Sequence, residues 1–579
     1  MSSAATTSKQ DAIPQFSQTM GHPSPLWMLF MSEFWERFAF YGIRWALVLY
    51  IVAQFHGGSA TGQSEANLTY GSYLALVYAA AIFGGYIADK IIGYQRSILV
   101  GAVFMAAGLF MISLPDPKIF KFGLATIVVG NGMFKPIIST IVGKLYAQGD
   151  ERRDSGFTIF YMGINAGAFL APLVTGWLAQ TVFGTDAAPA YKYVFMSAGA
   201  GMLVSLVWFY IGRNQLKGIG APAPGTDGMG RVLGVIIGAI VAIPVFYALL
   251  AVGGKNLQVV LTVMFVILAI MLMAEGIREG QVSRDKTIAM LLIFVFNIMF
   301  WMFFEQAGSS FTFLAENIVN RQLGSFLWPT AWFQTVNSIA IIVLAPVMAW
   351  IWVALGKANP SIPRKFGLGL LFNGFAFLLL MFALSKLVGM DGKIPFWTLC
   401  AVYVIQSVGE LCLSPIGLSM VTKLAPTRLV GLGMGGWFLS TGIGNNLSGI
   451  FASRAVPHRA AGAEDHARRE VGPWRSRTTG RNATSARPPN PKGRRAPDAR
   501  RPAPARNPPR SSSVCRSTWP VTSTTTSGWS GTACSCHGRF LKVRRSIRAS
   551  SALRRTLRTI RVSTAPSRGS SLRAMAPAS

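Results

Sequence analysis

Apolar stretches long enough to cross a bilayer recur along the first 452 positions, separated by short polar breaks. About 20 mainly apolar residues span the hydrocarbon core as a helix. By that measure helices are expected over about 25–54, 69–88, 97–114, 119–145, 155–183 and 191–212. A Gly/Pro-rich loop at 218–230 follows. Two further runs, 231–252 and 256–276, carry no charge except Arg231 at the edge and Glu275. Five more are expected at 287–317, 326–355, 366–388, 394–423 and 429–452. The order is six, two and five, an all-α polytopic membrane protein.

The polar residues inside the first of these runs are its most informative feature. Glu33, Glu36, Arg37, Tyr41 and Arg44 share one side of a helix that turns about 100° per residue. A charge at bilayer depth costs about 2.5–3.5 kcal/mol on insertion scales. Two acids and two arginines in one span must therefore face partners or a wet cavity. By default such groups mark ion or substrate pathways; a salt-bridged packing face is the plainer reading. Lys135 is a lone cation in its span and calls for a carboxylate, with Glu33 and Glu36 as the expected partners.

Composition agrees with a membrane protein, at 51% hydrophobic and 13% charged. The formal charge of +32 would suggest nucleic acid, but its distribution decides otherwise. Residues 454–579 hold 27 of the 54 Lys+Arg and only 4 of the 22 Asp+Glu. The preceding part carries the other 27 basic residues: 17 on one set of loops, 7 on the other and 3 within spans. With the amino terminus inside, this bias obeys the positive-inside rule. The multi-pass protein is accordingly expected in the cell membrane, with the lipid bilayer as partner and no nucleic acid. The five cysteines form no disulfide framework or metal-ligand spacing, so no metal is expected. No nucleophile–base set or phosphate loop stands out either, which argues against an enzyme.

The 453–579 tail is rich in Arg, Ala, Pro, Ser and Thr and contains no apolar run that could span. It is expected to be disordered, or the out-of-frame reading of a GC-rich gene from about residue 453. The second bundle would then lack its last helix. The expected organisation is a cytoplasmic tail (1–24), a six-helix bundle (25–217), a two-helix linker (218–286), a five-helix bundle (287–452) and the basic tail (453–579).

Six plus six spans with two inserted is the plan of a major-facilitator transporter. The loop after the second span, Gly85-Tyr86-Ile87-Ala88-Asp89-Lys90 leading to Gly93 and Arg96, resembles that superfamily's signature. There Asp89 would brace the loop by accepting hydrogen bonds from a neighbouring helix end. Six motifs in order carry a closer resemblance. They are Glu33-x-x-Glu36-Arg37-Phe38-x-x-Tyr41-Gly42, Gly130-Asn131-Gly132-Met133-Phe134-Lys135-Pro136, Phe160-Tyr161-Met162-Gly163-Ile164-Asn165-Ala166-Gly167, Phe300-Trp301 with Phe304-Glu305-Gln306-Ala307-Gly308, Gly409-Glu410-Leu411-Cys412-Leu413-Ser414-Pro415, and Trp437 before Gly444-Asn445. Over residues 25–450 the chain resembles the proton-coupled oligopeptide transporter family, whose prokaryotic members carry two similar extra spans.

That resemblance implies a symporter importing di- and tripeptides with protons by alternating access, with no other cofactor. It implies proton-coupling roles for Glu33, Glu36, Arg37, Lys135 and Glu305. Arg44 and Lys135 would hold the peptide carboxylate, since a guanidinium can grip a carboxylate bidentately. Glu305 could pair with Arg44 and release it on protonation. Glu410, with Asn165 and Asn337, would meet the peptide's amino end, and Ser414 could hydrogen-bond Glu410. Tyr41, Tyr78, Tyr161, Trp301 and Trp437 would line the side-chain pockets. Three positions depart from the family pattern: Ala81 where proline is frequent, and Ile137 and Ser338 where Asn and Pro are common.

Rival readings are a proton-coupled carrier of another small solute, such as nitrate or a drug, a non-functional frameshifted product, and a membrane-tethered binder of acidic partners through the basic tail. Oligomeric state is not legible. Translating the gene beyond codon 453 in its two other frames is expected to reveal an apolar run of about 20 residues; neither frame containing one would refute the frameshift.

Overall fold

The computed structural model describes residues 14–147, 149–222 and 228–455. The expectations for the 1–13 segment and for the basic tail beyond 455 lie outside the described residues. Among the described residues, fourteen α-helices carry the architecture. The first six are α1 (Pro25–Tyr50), α2 (Gly62–Ile87), α3 (Tyr94–Met111), α4 (Pro117–Lys144), α5 (Arg152–Trp177) and α6 (Tyr191–Gly212). The linker pair is α7 (Met229–Ala251) and α8 (Gly254–Arg278). Then come α9 (Gln281–Phe304), the short α10 (Ser310–Asn317), α11 (Phe333–Ala354), α12 (Ile362–Lys386), α13 (Phe396–Leu424) and α14 (Val430–Ala455). Among the described residues, twelve helical stretches are long and apolar enough to cross a membrane. This is a multi-pass membrane protein.

Local sequence explains the boundaries. Asp116 caps α4 by accepting from the amides of Lys118 and Ile119, both at 2.8 Å, and Pro117 follows at the first helical position. Between α2 and α3 the chain turns at Gly93, which holds φ +80° with Pro222 against it, so a side chain there would be strained and crowded. Asp89 accepts a hydrogen bond from the hydroxyl of Tyr94 at the start of α3.

Two expectations need correction. The run 287–317 is not one helix. It breaks at a 3₁₀ turn, Glu305–Gly308, between α9 and α10. The break is held by Gln306, whose amide donates to the carbonyl and hydroxyl of Ser448 at 3.1 and 3.0 Å. The expected span at 429–452 forms α14 but is not among the twelve apolar stretches, because Gly, Ser, Thr and Asn dilute its hydropathy. It is nonetheless embedded, packing on α2, α8 and α9.

The helices form two bundles. In the first, α1 packs on α5 and α6, and α3 on α4 and α6; in the second, α9 packs on α14 and α12 on α13. Small residues decide where the bundles meet. A Cβ at Gly71 of α2 would lie 2.8 Å from the Cα of Gly449 in α14, and one at Gly449 would press on the carbonyl of Asn67. The backbones cross in contact there, near the outer ends given by the loop charges. Toward the inner ends the same pair separates, since a Cβ at Gly435 would meet Ile82 only at 3.7 Å. The outer seam is closed and the inner one loose.

Gly71→Val should wedge that crossing apart, costing about 1–3 kcal/mol as overpacking does. Thermal unfolding of the detergent-solubilised protein should register the loss, and an unchanged midpoint would contradict the packing described.

Candidate functional site

Where the two bundles face one another below the closed outer seam lies a cavity of about 320 Å³. Its walls include Glu33, Arg37, Tyr41, Tyr78, Lys135, Tyr161 and Asn165 from the first bundle, and Asn337, Ser338, Glu410 and Phe438 from the second. Tyr161 on its wall is 38% exposed, and Pro136 and Ser139 line it toward the end of α4 that the loop charges assign to the cytoplasm.

The acids of α1 are buried in pairs with Arg37. Glu33, Glu36 and Arg37 are 3%, 0% and 3% exposed. Arg37 grips Glu36 through two nitrogens, Nη2 donating to Oε1 at 2.6 Å and Nε to Oε2. Its Nε also lies 3.2 Å from Glu33 Oε1, one helical turn back. Asn131 of α4 donates to Glu36 Oε1 at 3.3 Å. Glu33 Oε2 is buried with no hydrogen-bond partner among the described residues. Glu36 is therefore saturated as an anion, whereas Glu33 has one oxygen unpartnered at the cavity wall. The tight approach that buries Arg37 is made by Gly167 of α5, where a Cβ would lie 3.0 Å from that of Arg37.

Lys135 is not paired as the sequence suggests. No carboxylate lies within 4.0 Å of its ammonium among the described residues; it sits 4.3 Å over the Tyr78 ring and 5.8 Å from that of Phe40. Arg37 has taken both expected partners. An ammonium held by ring faces rather than by a counter-ion stays available at the cavity wall.

Nearer the outer seam, the break in the seventh main span brings Glu305 to Arg44. Arg44 Nη2 donates to Glu305 Oε2 at 2.6 Å, and its Nε donates to the Tyr70 hydroxyl at 2.8 Å. A side chain at Gly308 would collide with Tyr70 and Arg44. A second pocket of about 40 Å³ joins Arg44 and Glu305 to Tyr41, Tyr78, Trp301, Asn337 and Glu410. On the far wall Asn337 donates to Glu410 Oε2 at 3.2 Å and to Ser407 at 2.9 Å. Asn165 spends its amide on the Tyr161 carbonyl, 3.0 Å away in its own helix, and faces the cavity with the rest.

Trp437 stands apart from these residues. It is buried between Phe294 and Phe366, with ring centroids 6.3 and 6.2 Å away, while its neighbour Phe438 takes the cavity wall. Its large ring packs the second bundle. The Ser414 side chain lies outside the described residues.

Sequence reasoning missed Tyr70, which fixes Arg44, and Asn131, which fixes Glu36. Tyr70 lies two turns before Tyr78, and Asn131 one turn before Lys135 inside a motif already singled out. It also missed an outer clasp. Arg321, between α10 and α11, binds Asp186 of the α5–α6 connection bidentately at 2.7 and 2.8 Å, with Glu316 at 3.7 Å. Burial opposes the charge on Arg321, but Asp186 and Glu316 outweigh it and hold the guanidinium above its ordinary pKa. The indole of Trp332 adds a further bridge, donating to the Leu173 carbonyl at 3.1 Å. No one-dimensional signal links these residues.

Arg37→Met should leave Glu33 and Glu36 buried without their counter-charge, at a cost of about 3–5 kcal/mol. Thermal unfolding should show a large loss, partly recovered when Glu36→Met is added; no recovery would mean that the pair does not act as a unit.

Comparison with known proteins gives a consistent result. A family profile described as the POT family matches residues 95–465. A peptide transporter, YePEPT, of Yersinia enterocolitica is 36% identical over 455 residues, covering 74% of this chain and 87% of its own. The dipeptide and tripeptide permease B of Salmonella typhimurium is 32% identical over 446 residues, covering 75% and 88%. Among solved structures, the peptide transporter POT in complex with sulfate superposes with a TM-score of 0.66 at 33% identity, covering 78% of this chain and 94% of that one. A POT family transporter in complex with 5-aminolevulinic acid gives 0.65 at 31% identity, covering 78% and 94%.

Proposed function

This chain belongs to the POT family, and we propose that it carries di- and tripeptides into the cell together with protons, by alternating access of its two bundles. The single observation that carries this reading is the central cavity, with cationic and anionic side chains on its facing walls. Arg44 and Lys135 lie on one side and Glu410 with Asn337 on the other, with aromatic rings between. A short peptide is a zwitterion with the same polarity. The volume of about 320 Å³ falls at the small end of ligand pockets. 5-Aminolevulinic acid, bound by a relative, also pairs an amine with a carboxylate.

In this mechanism the peptide carboxylate competes with Glu305 for Arg44. While Glu305 is ionised it holds Arg44, and with the Arg321–Asp186 clasp it keeps the outer ends of the bundles together. A proton on Glu305 removes its charge and frees Arg44 for the peptide. A second proton has a natural seat on Glu33, whose unpartnered oxygen can take it without breaking the Arg37–Glu36 grip. Lys135, held only by ring faces, then turns to the peptide carboxylate. Each charge moved inward gains about 2.3 kcal/mol per 100 mV of membrane potential. Tyr41, Tyr78, Tyr161 and Trp301 would border the side-chain space. The protein acts as a transporter and makes or breaks no covalent bond.

In proteoliposomes, an imposed inward proton gradient should drive dipeptide accumulation by this chain. Glu305→Gln should abolish gradient-driven accumulation while sparing counterflow exchange of labelled dipeptide. Accumulation persisting in the variant would rule out Glu305 as the coupling acid. If excess nitrate competed with the uptake and dipeptides did not, the substrate class would be wrong.

A further inference from the structure

The two linker helices divide between the bundles. α7 packs on α4 and on the turn 88–92 that ends α2, whereas α8 packs on α14 and α9. Beyond their joining turn, α7 and α8 scarcely touch. At that turn α8 is pinned, since Asn446 of α14 donates to the Gly254 carbonyl at 2.8 Å and to Gln258 at 3.0 Å. Elsewhere the helices splay and leave a groove of about 740 Å³, floored by α2 and α4.

The groove is apolar along its whole wall except at one end. Leu76, Phe83, Met133, Phe246 and Met264 represent the lining, and Arg231 is its one charged lining residue among the described residues. On α7 the groove side is small. A Cβ placed at Gly234 or Gly238 would meet nothing within 4 Å, so these glycines border open space rather than a packed neighbour. Arg231 is exposed, with no ion pair or side-chain hydrogen bond among the described residues; the same holds for Lys90 on the turn beside it. Both lie on the side assigned as cytoplasmic by the loop charges.

We propose that this groove is a binding site for one anionic phospholipid of the cytoplasmic leaflet, its acyl chains lying between α7 and α8 and its phosphate at Arg231 and Lys90. Charge and shape select this occupant. A peptide substrate would find no polar partner along the wall. A zwitterionic phospholipid would fill the slot but bring its own headgroup cation up to Arg231 and Lys90, whereas basic pockets between spans on the cytoplasmic side suit anionic headgroups. The site also straddles the seam between bundles. In the rocking motion proposed above, α7 moves with one half and α8 with the other, so a seated lipid would weight one state. That consequence rests on the transport reading, whereas lipid retention does not.

The test is native mass spectrometry of the purified full chain with phosphatidylglycerol, phosphatidylcholine or inorganic phosphate added. Phosphatidylglycerol should be retained as a single tight copy and phosphatidylcholine several-fold more weakly; phosphate alone should not displace it. Arg231→Gln and Lys90→Gln should each weaken phosphatidylglycerol about fivefold. Gly238→Trp should fill the slot and abolish retention. Gly374→Trp, at an equally open glycine on α12, should not. Equal retention of the two lipids, competition by free phosphate, an unaffected Gly238→Trp protein, or a dimer lost on Gly238→Trp in place of bound lipid would each overturn the proposal. Should Gly238→Trp fail to fold, the charge variants decide alone. Peptide uptake in phosphatidylcholine-only vesicles, run alongside, separates failure of this site from failure of transport.

Discussion

A buried charge in a membrane protein must find a partner inside the protein, because hydrocarbon offers none. The structure is arranged around that constraint. Arg37 satisfies two carboxylates from its own helix, and the close approach of α5 through Gly167 shields them from lipid. Arg44 reaches across to Glu305 in the other bundle. Fixed pairs of this kind contribute little net stability, since desolvation nearly cancels attraction. In the mechanism proposed above, their value lies in exchange. One pair, Arg37–Glu36, is saturated from every side; the other, Arg44–Glu305, joins two bodies that can part.

The same contrast separates the two ends of the bundle interface. At the outer end, contact is backbone on backbone through Gly71 and Gly449, reinforced by the Arg321–Asp186 ion pair. At the inner end side chains meet at ordinary distances and the cavity is reachable. The 3₁₀ break at Glu305–Gly308 stands between these regimes. It is a local irregularity tolerated at membrane depth because the Ala307 carbonyl accepts from the hydroxyls of Thr312 and Tyr403 and from the Gln334 amide.

Binding groups divide by type as well as by place. Lys135, held by ring faces, comes from the first bundle, and Glu410, held by Asn337, from the second. In the function proposed above, this polarity matches that of a zwitterionic ligand. The linker helices add a different surface, apolar and lipid-facing, whose two walls belong to different bundles.

Much of this was decided by one-dimensional pattern. Hydropathy alone located the spans, because a 20-residue apolar run has no stable alternative in a bilayer, and loop charges oriented them. The chemistry-bearing residues were visible for the same reason: Glu33, Glu36, Arg37, Arg44, Lys135, Glu305 and Glu410 are conspicuous where charge is costly. Hydropathy cannot say which charge meets which, and there only the tertiary structure decided. Lys135 was expected to take an acid of α1, but Arg37, a turn away from one and adjacent to the other, reaches both first. Trp437 was expected at the cavity, but its ring volume is absorbed between Phe294 and Phe366. Tyr70, Asp186 and Arg321 carry no mark in the sequence, since their importance comes from partners up to 135 residues distant. Composition fixes that a charge must be matched; only the packing of helices brings the match within reach.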